Sequence, residues 1–128
     1  MTQRATVWLT DWQVWDTGLA AAPGIEVEWR LSAPDAWSAR LFGEPRSIDF
    51  ELDTEVDAVP GRAVIVTRGL VEDVECVRVT RSPDGAAVDG SATTERVRST
   101  LEMLEMLEGD VMGYLVRLRV DAMTPDVT

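Results

Sequence analysis

A chain of 128 residues suits one domain with a single core, and its 45% hydrophobic and 27% charged residues exclude disorder over most of its length. The formal charge of −11 repels nucleic acid and anionic membrane surfaces; all twelve cationic residues are arginine, and histidine is absent. A lone cysteine, Cys76, excludes an internal disulfide and fits a reducing compartment.

Thr6–Leu9 is a short β-favouring run. It leads into Asp11-Trp12-Gln13-Val14-Trp15-Asp16, an aromatic cluster flanked by acids, and then a loop over Gly18–Gly24. Ile25, Val27, Trp29 and Leu31 alternate with Glu26, Glu28 and Arg30, the period of a half-buried strand. Ser32-Ala33-Pro34-Asp35 followed by Ala36–Phe42 and Gly43 predicts a short helix, with Ser32 or Asp35 to cap it and Gly43 to stop it. Ile48, Phe50 and Leu52 alternate with Ser47, Asp49, Glu51 and Asp53 in a second amphipathic strand, which Val59-Pro60-Gly61 punctuates.

Ala63-Val64-Ile65-Val66 is apolar on both faces and fits a central strand covered on each side. Leu70–Arg81 is β-rich with an irregular phase near Val74 and Cys76, the mark of a bulge. Ser82-Pro83-Asp84-Gly85 signals a turn and opens a loop over 82–92 that is expected to be mobile. Val97, Leu101, Leu104 and Leu107 recur at helical spacing, which predicts a helix over Thr94–Glu108; two short strands are the competing reading. Tyr114–Ala122 alternates as a closing strand, and residues 124–128 read as a frayed tail.

Five or six short strands with one or two short helices imply a mainly β (or α+β) single domain over 1–128. The expected form is a small curved antiparallel sheet or an SH3-like or OB-like barrel. No stretch approaches the ~20 apolar residues of a membrane helix. Met1-Thr2-Gln3-Arg4 lacks the apolar run of a signal peptide, so cytoplasmic residence is expected.

The string Val7-Trp8-Leu9-Thr10-Asp11-Trp12-Gln13, the strand Gly24-Ile25-Glu26-Val27-Glu28-Trp29 and the ending Gly113-Tyr114-Leu115-Val116-Arg117-Leu118 together resemble a family of small uncharacterised actinobacterial proteins. The chain departs from that pattern at Val14–Leu19, where such proteins carry cysteine and glycine. The resemblance implies a β-rich fold and no particular activity.

Serine or cysteine triads need a histidine base, zinc sites need histidines or several cysteines, and no glycine-rich phosphate loop follows a strand, so no catalytic residue and no organic cofactor is expected. Acidic neighbours Glu72, Asp73 and Glu75 disfavour a Cys76 thiolate, and a buried structural cysteine is the reading. Asp49, Glu51 and Asp53 fall about 6–7 Å apart on one strand face. That spacing suits a divalent-metal site, but strand alternation by itself already predicts acids on a solvated face opposite Ile48, Phe50 and Leu52, and that is the leading reading. Glu102, Glu105 and Glu108 read as the solvated side of the predicted helix. Trp8 and Trp29 fall on apolar strand phases and belong to the core. Trp12, Gln13 and Trp15 stand outside any strand rhythm; burial of the two indoles in the core is the leading reading, and a contact patch for a partner or ligand is the functional one. Arg78, Arg81, Arg117 and Arg119 are expected in internal salt bridges rather than in a nucleic-acid surface. The functional expectation is a non-catalytic protein-interaction or self-associating module. A carboxylate-based divalent-metal binder or enzyme and a small-ligand binder with a tryptophan-lined pocket are the alternatives.

Overall fold

The computed structural model describes residues 3–17, 19–34, 40–42, 47–53, 63–100 and 111–125. Its elements are β1 (Gln3–Thr10), α1 (Asp11–Thr17), β2 (Glu26–Ser32), β3 (Phe50–Leu52), β4 (Ile65–Arg78), β5 (Thr93–Val97) and β6 (Val111–Pro125). The mainly β class expected from the alternation is what forms, in a six-stranded sheet of order β2-β3-β1-β6-β4-β5 with an additional β2–β4 pairing. That last pairing makes the ladder return on itself, β1–β6–β4–β2–β3–β1, so the sheet must curve.

The sheet is mixed, a correction to the expected antiparallel one. β1 and β3 run parallel, with Val7 opposite Phe50 and Trp8 opposite Glu51, while the other pairings are antiparallel. A parallel neighbour needs a long crossover, and here the chain passes through α1 and β2 before β3 slots between β1 and β2.

β4 organises the sheet. One edge runs along β6 for its whole length; the other pairs first with β2, through Ile65–Leu70, and then with β5, through Val74–Arg78. The two β-rich runs expected on either side of residues 68–69 are thus one 14-residue strand. The phase of the sequence places irregularity near Val74 and Cys76; the register shifts fall at Arg68/Gly69, Val71/Asp73 and Val77/Arg78. At the first shift, a Cβ on Gly69 would stand 2.6 Å from the Arg119 carbonyl oxygen, so only glycine allows β6 so close.

The helix expected from Thr94 is corrected at its start: Thr93–Val97 is strand β5. β-Branched Thr93, Thr94 and Val97 suit a pleated surface, β4 offers an unpaired edge, and Val97 joins the core, which together outweigh the helical spacing that Val97 begins. Residues 101–110 lie outside the described residues, as does most of the helix expected over Ala36–Phe42, including Trp37.

Two apolar clusters lie on opposite faces of the sheet. The larger fills the inside of the curve and includes Val7, Leu9, Trp29, Leu31, Val71, Val74, Cys76, Tyr114, Val116 and Leu118. The smaller gathers Trp8, Leu41, Val77, Val79 and Leu115, with Phe42, Ile48, Ala87 and Met112 packed against it. Strand alternation explains the split: Trp8 sits between Val7 and Leu9 and so faces the other way. Trp8 and Trp29 are both buried, as their phases predict, but in different clusters. Ile48 does not share the face of Phe50 and Leu52, because β3 is only three residues long. The 82–92 segment turns at Ser82–Gly85, where the Ser82 hydroxyl bonds Asp84, and its Ala92 N–H donates to the Leu41 carbonyl over the second cluster at 2.8 Å.

Candidate functional site

α1 begins with a reciprocal cap that pattern reading missed. Thr10 Oγ1 accepts from the Gln13 N–H at 3.3 Å, and Gln13 Oε1 accepts from the Thr10 N–H at 3.1 Å. This is the Thr-x-x-Gln capping box, legible as Thr10-Asp11-Trp12-Gln13 once looked for. Gln13 Nε2 also donates to the Leu52 carbonyl at 2.8 Å, which ties α1 to β3, and Val14 is fully buried. Gln13 is thus occupied in the fold. Trp12, one position earlier, turns outward and is 55% exposed, more than any other large hydrophobic residue among those described. The Trp15 side chain lies outside the described part of the chain. Asp16 is exposed on the same helix.

Of the acidic triplet, Asp49 bonds to β1. Its N–H donates to the Thr6 carbonyl at 2.9 Å and its carboxylate accepts from the Thr6 N–H at 2.8 Å. It thereby extends the parallel β1–β3 ladder by one side chain. Glu51 is half-buried and has an interaction of its own; Asp53 is buried, and its N–H donates to the Arg30 carbonyl at 2.9 Å. Among the described residues no three Asp, Glu or Cys side chains gather as a metal site. Asp49→Ala is expected to lower stability by about 1–2 kcal/mol, because the Thr6 N–H loses a charged acceptor. Asp49→Asn keeps an acceptor and should cost less; denaturant melts of the two variants check this.

At the α1 end of the inner cluster three titratable groups lie near one another, and burial acts on each. It pushes the Asp11 carboxyl up, opposed by the Trp12 N–H and the Arg81 charge. It pushes the Cys76 thiol up, with the Arg78 guanidinium opposing and Glu95 assisting. The direction for Cys76 matches the sequence expectation, but burial rather than Glu72, Asp73 or Glu75 is the leading cause. The Tyr114 hydroxyl is pushed up to about 12 by burial, then by negative charge at Cys76 and Asp11. That hydroxyl is fully buried and, among the described residues, has no hydrogen-bond partner.

A polar groove of about 230 Å³ crosses the face that carries the second cluster. It runs from Thr6 of β1 over Leu115 and Arg117 of β6 to Asp73 and Glu75 of β4 and Arg96 of β5, with Ser47 at its rim. Arg96 Nε lies 3.7 Å from Asp73 Oδ1. Of the arginines expected in salt bridges, Arg78 reaches Glu95 at 3.8 Å and Arg119 reaches Asp121 at 3.9 Å, while Arg81 donates to the Gly85 carbonyl at 3.0 Å. Among the described residues the Arg117 side chain makes no ion pair or hydrogen bond, and this is a correction for that residue.

Among the described residues these features define a small, mainly β domain with a curved mixed sheet, a capped helix that presents a tryptophan, and a charged groove. No helix among the described residues is long and apolar enough to cross a membrane. The chain belongs to a family of unknown function, DUF6578, whose model matches residues 3–120. No curated protein and no solved structure matches it.

Proposed function

We propose that this domain is a non-catalytic interaction module that docks a larger, cationic protein partner through α1. The observation that carries the reading is Trp12: an indole 55% exposed on a helix whose neighbouring residues are capped and buried. An exposed tryptophan is costly without a use, and tryptophan is among the commonest anchors of protein interfaces. Asp16 and a net charge of −11 favour a basic partner surface over a second copy of this chain, which like charge repels.

The test is proximity capture in the source cell with wild type and Trp12→Ser, followed by affinity measurements with the purified partner. A partner bound by wild type and weakened at least about tenfold in Trp12→Ser is the expected result, since hot-spot tryptophans contribute about 2 kcal/mol or more. The substitution should leave the thermal midpoint nearly unchanged because Trp12 covers little of the core. Equal recovery of every partner by both proteins would refute the reading. Concentration-dependent sedimentation lost in the variant would replace docking with self-association.

A further inference from the structure

We propose that the groove on the second-cluster face binds a small monocarboxylate, held by the Arg117 guanidinium together with the Thr6 and Ser47 hydroxyls. Size gives the first constraint. A cavity of roughly 150 Å³ holds a benzene molecule, so 230 Å³ takes a ligand of about amino-acid size. Drug-sized molecules need about 300 Å³ or more.

Charge gives the second. The chain has eleven more acids than bases, yet Arg117 is exposed and makes no ion pair among the described residues. Asp73 is its cross-strand partner in the register, but the Asp73 carboxylate lies by Arg96 on the opposite side, and Glu75 has an interaction of its own. The Arg117 charge also reaches Glu72 and helps hold that carboxyl down, but the Glu72 carboxylate is bonded to Arg4 at 2.7 Å, so the Arg117 guanidinium makes no hydrogen bond among the described residues and its planar fork matches the two oxygens of a carboxylate. A phosphate near its double charge would meet Asp73 and Glu75 with only one unpaired cation to offset them. A metal ion or an ammonium group would face Arg117 itself. Leu115 supplies the apolar floor against which a short aliphatic body can rest.

The test is an amide chemical-shift titration of the full chain at constant ionic strength. The probes are N-acetylglycine, its uncharged amide N-acetylglycinamide, and inorganic phosphate. Saturable shifts at Thr6, Asp73 and Arg117 with N-acetylglycine alone are expected. They should weaken at least about tenfold in Arg117→Gln and less in Arg117→Lys, which keeps the charge without the fork. Arg117 is exposed, so a thermal melt should show both variants folded. Trp12→Ser should leave the shifts intact, which separates this site from the α1 surface. Equal shifts with the amide, an unchanged response in Arg117→Gln, or phosphate binding as tight as the carboxylate would each overturn the proposal.

Discussion

Gly113→Ala is expected to abolish folding or to cost at least about 3 kcal/mol, the top of the range for overpacking a close contact. Gly113 sits on β6 where that strand pairs with Thr10 of β1 and Val77 of β4. A Cβ there would overlap the Leu9 carbonyl oxygen and stand 2.9 Å from Trp8 Cη2. The carbonyl belongs to the backbone of a strand held on both sides, so it has nowhere to retreat. The indole is 1% exposed and wedged in the second cluster. The methyl group therefore strains the β1–β6 ladder and the packing of Trp8 at once. Val88→Ala, at an exposed position, serves as control and should stay within about 0.5 kcal/mol. A Gly113→Ala protein that melts within a few degrees of wild type would show that the two strands part more easily than their packing implies.

Tyr114 is expected to make the protein sensitive to alkali. Its hydroxyl is pushed from the ordinary value of 10.0 to about 12 in the folded chain. A raised folded value means that the stabilisation is fully present below about pH 10, where both states are protonated. It is lost as pH rises towards about 12, because the unfolded state releases the proton first. Two units correspond to at most about 2.7 kcal/mol. Tyr114→Phe should remove this limb and leave stability near neutral pH unchanged or up to about 1 kcal/mol higher, since the buried hydroxyl forms no hydrogen bond to lose. Tyr114 is the only tyrosine, so tyrosinate absorbance reports it alone. Ionisation near 10 in a protein still folded by circular dichroism would contradict the burial of this hydroxyl.

Several features of the molecule are legible in its residues for local reasons. Strand alternation places Trp29 and Leu31 inward and Glu26, Glu28 and Arg30 outward, and the same rule separates Trp8 from Val7 and Leu9. What alternation cannot carry is pairing between distant segments. The parallel β1–β3 contact, the division of one β4 edge between β2 and β5, and the recruitment of Thr93–Val97 as a strand all depend on partners dozens of residues away. The candidate sites divide along the same line. Exposure of Trp12 follows from a capping box four residues long, which local reading can find. The commitment of Asp49 to Thr6, and the groove that leaves Arg117 unpaired, arise only when β1, β4, β5 and β6 lie side by side.

The ring of strand pairs has a consequence for how the chain is made. β6 comes last among the described strands, yet it joins β1 to β4 and supplies Tyr114, Val116 and Leu118 to the inner cluster. Until it is synthesised, the pairing of β1 among the described residues is the short one with β3, two register pairs extended by the Asp49–Thr6 bonds, and Val7, Leu9 and Val74 lack their neighbours in β6. Closure by so distant a pairing is slow, in the milliseconds-to-seconds range of β-rich domains, and it leaves strand edges open meanwhile. During that interval mutual repulsion between nascent chains is the available protection, and an excess of eleven negative charges supplies it. Neutralising a group of exposed acids should therefore lower the soluble yield on expression more than it lowers the melting temperature of the protein once folded.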